Sequence, residues 1–135
     1  MNSFLKKRGL NRMDLCYLAA LTLIGLGIRV ILRVVITDDW LMYWDPWISD
    51  LKEMGFSYLA TERYDYTPTF VYILWAISRL PINPMTAYKG LHCVLDFVAA
   101  GILGKMIWKV TGSKRKGILS YGLFLIVPTI WANGA

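Results

Sequence analysis

The stretch YTPTFVYILWAISRLP, residues 66–81, decides how many times this chain can cross a membrane. Thr67 can cap a helix whose first residue is Pro68, and Pro81 ends it. The predicted helix covers residues 68–80, which is about 20 Å at 1.5 Å per residue. Since the hydrocarbon layer is about 30 Å thick, we expect this helix to stay at the membrane surface.

Longer apolar runs lie on both sides of that helix. The chain has 135 residues, of which 56% are hydrophobic, and this is too apolar for an ordinary soluble domain. Residues 15–36 and 85–110 are each long enough for a transmembrane helix, and residues 117–135 begin a third span. The sequence therefore predicts an all-α membrane protein with three transmembrane helices.

The charged residues are sorted along the sequence, and this predicts an orientation. Seven of the nine acidic residues lie between positions 38 and 65, whereas the basic residues cluster before position 13 and after position 104. Cytoplasmic flanks of transmembrane helices are rich in Lys and Arg. We therefore expect the N-terminus and the basic loop 111–116 on the cytoplasmic side of the cell membrane, and the loop 37–84 on the extracytoplasmic side. The basic residues flank apolar runs, which argues against nucleic acid as a partner.

The outer loop carries a second short helix in this interpretation, over residues 46–54. Asp45 is its expected N-cap and Gly55 its terminator. One side of the helix is apolar and the other polar, so we expect it to lie flat on the membrane. The tryptophans nearby are typical of an aromatic belt, although they could also stack on a sugar.

Asp38 and Asp39 follow the first span directly, beside Trp40 and Trp44. They are either two solvated loop acids or a partly desolvated pair suited to proton abstraction.

Arg29 and Arg33 share one face of the first span. A charge at that depth needs an anionic partner, which could be a lipid phosphate or Asp96. Lys89, His92 and Asp96 share a face of the second span, because they are three and four residues apart. We expect this polar stripe to face protein or water.

An ordered set of residues resembles the start of GT-C glycosyltransferases, and most of all bacterial relatives of the GPI mannosyltransferase 2 family. The resemblance covers residues 27–135 and rests on Asp39, Pro46-Trp47, Lys52, Gly55, Asp65-Tyr66-Thr67-Pro68, Tyr72, Leu74, Lys89 and Asp96. It implies an inverting membrane enzyme that moves a hexose, with mannose favoured, from a polyprenyl-phosphate donor to a glycan or lipid acceptor outside the cytoplasm.

The resemblance also implies roles for individual residues. Asp39 would be the general base, with Asp38 as neighbour or substitute. The substrates would be bound by Trp47, Asp65 and Tyr66. Arg29, Arg33 and Lys89 are predicted to bind the donor phosphate because of their positions in the outer halves of the two spans. The sequence has no metal-ligand spacing and implies no cofactor, but it leaves the use of a divalent cation open.

Two other functions compete with this one: a transporter or lipid-carrier flippase, and a non-catalytic membrane subunit. Transporters usually carry coupling acids near the membrane midplane, and here only Asp96 is deep. In GT-C enzymes a segment like PTIWANGA continues into a Trp-Gly-Gln-any-Asp motif and many more spans. We therefore expect this chain to be the N-terminal part of a longer protein.

Overall fold

A computed structural model describes residues 10–61 and 64–127, and this part of the chain is helical, without a β-strand. The five α-helices are α1 (Arg12–Leu32), α2 (Asp45–Met54), α3 (Pro68–Ser78), α4 (Pro84–Thr111) and α5 (Lys114–Ile126). A π-helix, Trp40–Trp44, precedes α2, and a 3-10 helix, Gly55–Ala60, follows it. Within the described ranges, α1 and α4 are the two helices long and apolar enough to cross a membrane, which favours a membrane location.

Helix α1 begins with a reciprocal cap. The backbone N–H of Asp14 donates to Asn11 Oδ1 over 2.7 Å, and the N–H of Asn11 donates to Asp14 Oδ2 over 3.0 Å. This arrangement satisfies N–H groups that a helix start leaves without partners. The helix is about 32 Å long at 1.5 Å per residue, and it ends at Leu32, four residues before the predicted end.

The start of α2 differs from the prediction. Asp45 is not an N-cap, because its φ of −64° and ψ of −47° are helical and the helical backbone already begins at Asp38. The π-helix carries the chain into α2 without a break, so the expected cap position lies inside a longer helical segment. The predicted terminator is confirmed: Gly55 ends α2 with a φ of 61°, a conformation that glycine adopts readily.

The apolar side of α2 packs on protein, whereas we expected it to rest on the membrane. Its buried residues are Trp47, Ile48 and Leu51. They share one core with the buried face of α3, which consists of Val71, Leu74 and Ile77. Helix α3 has 11 residues, or about 17 Å, so it is even shorter than the predicted helix 68–80.

Helices α4 and α5 are joined by a tight turn. Gly112 has a φ of 65°, and the Ser113 hydroxyl accepts the N–H of Lys116 to cap α5. The basic stretch predicted as the loop 111–116 therefore belongs mostly to the last turn of α4 and the first turn of α5. A third transmembrane helix is not shown: α5 has 13 residues, and residues 128–135 of the predicted span lie outside the described part of the chain.

The described residues form two compact units. Unit 1 contains residues 10–30 and 95–127, and unit 2 contains Ile31–Val94. Helices α1 and α4 contribute residues to both units.

Unit 1 is packed through small residues. A Cβ atom added to Gly117 would lie 2.6 Å from the carbonyl oxygen of Gly104, and one added to Gly122 would lie 2.6 Å from the Leu21 side chain. The Gly104 oxygen is a backbone atom, so α4 and α5 approach this closely only because position 117 is glycine. A side chain at position 122 would require the Leu21 methyl groups to move.

Candidate functional site

Asp38 and Asp39 stand at the start of the helical segment that leads into α2. The segment begins after Thr37, whose carbonyl oxygen and hydroxyl both accept the N–H of Trp40, over 3.1 and 3.3 Å. Both aspartates are exposed, and neither side chain forms an ion pair or hydrogen bond with another residue of the described ranges. Two carboxylates are thus presented to solvent on a helical turn.

An aromatic cluster lies next to the aspartates and fixes this segment. Trp40 is 6% exposed, and its ring centroid lies 5.7 Å from that of Tyr88 in α4. Trp44 contacts the same tyrosine at 4.6 Å and Phe70 of α3 at 6.1 Å. Aromatic rings at these separations attract one another beyond the area they bury, so the turn with the aspartates has a stable support. Within this cluster, Trp40 is a core residue and not an exposed belt residue.

Tyr88 is a buried neighbour of the candidate site, and the sequence did not single it out. It is buried, and its ring also contacts Phe70 and His92, the latter at 4.3 Å between centroids. A signal was present in the sequence: Tyr88 lies four residues before His92, so the two share a helix face.

The three predicted substrate-binding residues also lie in unit 2. Trp47 is only 6% exposed, and its ring contacts Tyr43 at 5.9 Å and Tyr66 at 5.8 Å. Tyr66 is 51% exposed and covers the Trp47 ring, and Asp65 beside it is exposed as well. Tyr66 and Asp65 can therefore meet a substrate directly, whereas Trp47 supports Tyr66 from within the core.

Arg29, one of the predicted phosphate ligands, is engaged inside unit 1. Its Nη2 donates to Asp96 Oδ2 over 2.7 Å and its Nε to the same oxygen over 3.3 Å. Its Nη1 donates to the carbonyl oxygens of Gly25 and Leu125, over 3.0 and 3.3 Å. With the Arg29 side chain 10% exposed and that of Asp96 19%, this is a partly buried ion pair. The sequence left open whether the anionic partner of Arg29 is a lipid phosphate or Asp96, and in the structure it is Asp96.

Lys89, another predicted phosphate ligand, caps the end of α1 within unit 2. Its Nζ donates to the carbonyl oxygens of Leu32 over 3.4 Å and Arg33 over 3.1 Å, and also to that of Val35. Carbonyl groups at a helix C-terminus lack intrahelical partners, and a lysine ammonium is a suitable one. All three N–H donors of Lys89 have acceptors in this arrangement.

Arg33 is the remaining predicted phosphate ligand, and its side chain is exposed. It forms no ion pair within residues 10–61 and 64–127. Arg33 lies five residues before Asp38 in the same unit, on the turn whose carbonyls Lys89 holds. Among the three predicted phosphate ligands, Arg33 is therefore the one whose charge faces solvent.

No group of three or more His, Cys, Asp or Glu side chains within the described ranges could hold a metal ion. The use of a divalent cation therefore stays an open prediction.

No family model matches this chain, and neither a curated protein nor a solved structure does.

Proposed function

We propose that this protein is an inverting membrane glycosyltransferase that uses a polyprenyl-phosphate hexose, with mannose favoured, as its donor. The observation that carries the proposal is the pair of exposed carboxylates, Asp38 and Asp39, on a supported turn directly after the apolar helix α1. A donor with a polyprenyl tail keeps its phosphate and sugar at the membrane surface. A base for such a donor has to lie just beyond a transmembrane helix.

The reaction needs one proton acceptor and one stabilised leaving group. Asp39 removes the proton from the acceptor hydroxyl while the oxygen attacks C1 of the sugar. The bond between C1 and the phosphate oxygen breaks, and its electron pair leaves with polyprenyl phosphate. The C1 centre resembles an oxocarbenium ion during the transfer, so the neighbouring carboxylate of Asp38 stabilises it electrostatically.

Arg33 is the cation proposed to hold the donor phosphate. A guanidinium binds phosphate oxygens through two parallel N–H bonds, and the Arg33 side chain is exposed. Arg29 and Lys89 donate to Asp96 and to backbone carbonyls, so their contribution to this site is to support the fold around it. Tyr66 and Asp65, both exposed, are proposed to contact the sugar or the acceptor.

The proposed topology keeps these residues outside the cytoplasm. The N-terminus and the basic start of α5 face the cytoplasm, and residues 37–84 face outward, because bases favour the inner side. In a variant with Cys16 and Cys93 replaced by Ala, a cysteine at position 114 should react with a membrane-impermeant maleimide only after the cells are opened. Labelling in intact cells would contradict this topology.

The function is tested by transfer of labelled mannose in proteoliposomes. The donor is polyprenyl-phosphate mannose, and the acceptors are short mannosides and water. Asp39→Asn should lower the transfer rate by about 10² or more, which is what a positioned base contributes. Asp45→Asn is the matched control, because Asp45 is an exposed acid six residues further along the same helical segment; its rate should stay within about twofold.

Other outcomes separate the competing functions. If the Asp39→Asn variant transferred mannose at the full rate and the Asp38→Asn variant did not, the role of general base would be reassigned to Asp38. Movement of the donor between leaflets without transfer would indicate a flippase. A chain that neither transfers nor moves the donor would contradict the proposal and indicate a non-catalytic subunit.

A further inference from the structure

A cavity of about 540 Å³ opens between the first turns of α1 and α5, inside unit 1. This volume is in the range of sites that bind small molecules. It plays no part in the proposed sugar transfer, because the candidate residues Asp38, Asp39, Asp65 and Tyr66 all belong to unit 2.

The cavity has a polar end with one charge of each sign. Its polar lining residues are Asn11, Asp14, Tyr17 and Arg115. Asp14 and Arg115 do not pair with each other, since the ion pair found among the described residues joins Arg29 and Asp96. One oxygen of Asp14 accepts the Asn11 N–H, and a carboxylate can accept further hydrogen bonds. Arg115 is exposed and makes no ion pair or side-chain hydrogen bond within residues 10–61 and 64–127.

The opposite end of the cavity is apolar. It is lined by Ala20 and Leu21 from α1 and by Ile118 and Leu119 from α5. From Asp14 to Leu21 the helix rises about 10 Å, so the lining changes from charged to apolar over that distance. A ligand that matches both ends has a zwitterionic head and a hydrocarbon tail.

We propose that this cavity binds phosphatidylethanolamine, with its phosphate on Arg115, its primary ammonium on Asp14 and one acyl chain along Leu21 and Leu119. The ammonium supplies N–H donors for the free acceptor positions of Asp14, and the guanidinium is suited to bind phosphate. Phosphatidylcholine has the same charges but no N–H donor, and phosphatidylglycerol has no cation for Asp14. The proposal rests on membrane insertion of α1 and is independent of the proposed glycosyl transfer.

Lipid binding to the purified, delipidated protein in detergent tests this proposal. Phosphatidylethanolamine, phosphatidylcholine and phosphatidylglycerol with identical acyl chains are titrated, and bound lipid is counted by native mass spectrometry. Phosphatidylethanolamine should bind about tenfold more tightly than phosphatidylcholine, the factor that a charge-assisted hydrogen bond provides. Water-soluble glycerophosphoethanolamine should not displace the lipid, because it lacks the acyl chain.

Three variants assign the contacts. Asp14→Asn keeps an oxygen that can accept the Asn11 N–H, so α1 stays capped, but the preference for phosphatidylethanolamine over phosphatidylcholine should disappear. Arg115→Gln should weaken all three lipids about fivefold, roughly the effect of one basic residue on an anionic lipid group. Lys116→Gln is the control, because Lys116 is exposed, lies next in α5 and does not line the cavity. It should leave all three affinities unchanged.

Several results would overturn the proposal. Equal affinities for phosphatidylethanolamine and phosphatidylcholine would show that Asp14 does not bind the ammonium group. An equal loss in Lys116→Gln and Arg115→Gln would indicate diffuse attraction by the basic end of the chain. Tightest binding of phosphatidylglycerol would indicate an anionic lipid, and displacement by glycerophosphoethanolamine would indicate a headgroup site without a lipid tail. Circular dichroism of each variant establishes that its helices are intact.

Discussion

The two units of this chain are packed by different means. Apart from Asp14 and Leu125, the buried positions described in unit 1 are glycine or alanine: Gly25, Ala100, Gly104, Gly117 and Gly122. In unit 2 the buried positions are mostly large, and they include Trp40, Trp47, Leu51, Tyr58 and Tyr88. Unit 1 also holds the partly buried ion pair of Arg29 and Asp96, whereas unit 2 is held by aromatic contacts.

This difference agrees with the proposal that the helices of unit 1 lie in lipid and those of unit 2 at the membrane surface. Lipid chains are as apolar as leucine, so burying leucine against another helix gains little there. Close backbone approach and polar pairing then hold the helices together, as at Gly104 with Gly117 and at Arg29 with Asp96. Unit 2 gains from removing large aromatic surfaces from water, which is the ordinary hydrophobic effect.

Removing Arg29 should have the largest effect on unit 1. In Arg29→Gln the Asp96 carboxylate loses its cation in a mostly buried setting, which costs about 3–5 kcal/mol of unfolding free energy. Equilibrium unfolding in mixed micelles, followed by circular dichroism, measures the loss. The double variant Arg29→Met/Asp96→Leu should recover most of it, and Arg33→Gln, at an exposed arginine, should cost almost nothing. No recovery in the double variant would contradict the assignment of the cost to an unpaired charge.

Leu51→Ala tests the packing of unit 2. Leu51 is 0% exposed in the core between α2 and α3, so its truncation leaves a cavity and should cost about 2–5 kcal/mol. Met54→Ala, three residues along the same helix and 40% exposed, should cost less than about 1 kcal/mol. The near-ultraviolet circular dichroism of the aromatic cluster reports the transition. Equal costs in the two variants would mean that this face of α2 is not buried.

Gly117→Ala tests the close contact of α4 and α5. Its Cβ would lie 2.6 Å from the Gly104 carbonyl oxygen and 2.9 Å from the Trp108 Cβ, so backbone has to move, at about 1–3 kcal/mol. Gly101→Ala is the matched control, because nothing in the described part of the chain lies within 4 Å of the added atom. It should be neutral or slightly stabilising, since alanine favours helix. Thermal unfolding in detergent distinguishes the two, and equal midpoints would contradict the contact.

The smallest effect is expected at the hydrogen bond between Thr22 and Tyr121, whose oxygens are 2.7 Å apart. Thr22 donates its own proton to the Leu18 carbonyl, so Tyr121 is the donor in this bond. Tyr121→Phe should cost about 0.6 kcal/mol, the average for such bonds between helices in membranes. A double-mutant cycle with Thr22→Val measures the coupling, and zero coupling would show that the bond does not stabilise the fold.

Much of the helical pattern follows from local chemistry. Pro68 and Pro84 each begin a helix, Gly55 ends one, and the apolar runs predict α1 and α4 to within four residues at each end. These signals act over a few residues, so a sequence is sufficient to find them. The π-helix before α2 and the wrongly assigned cap at Asp45 could not be foreseen, because tertiary contacts of Trp40 and Trp44 stabilise that irregular turn.

The candidate site was less predictable than the helices. The position of Asp38 and Asp39 after α1 follows from the sequence, but the partners of the basic residues do not. Arg29 and Asp96 are 67 positions apart, and Lys89 is 57 positions from Leu32. A sequence supplies the charges, whereas only the packing of α1, α4 and α5 decides which of them remain exposed to bind a ligand.

The contact of Lys89 with the end of α1 sets an order of events during synthesis. The carbonyl oxygens of Leu32, Arg33 and Val35, at and just after the end of α1, have to wait for an ammonium group that is made 57 residues after Leu32. A ribosome adds about 5–20 residues per second, so this delay is roughly 3–11 s. During that interval the end of α1 lacks this ammonium group, and the turn with Asp38 and Asp39 lacks its support from Tyr88. The segment between α1 and α4 therefore completes its structure only once α4 has begun to emerge.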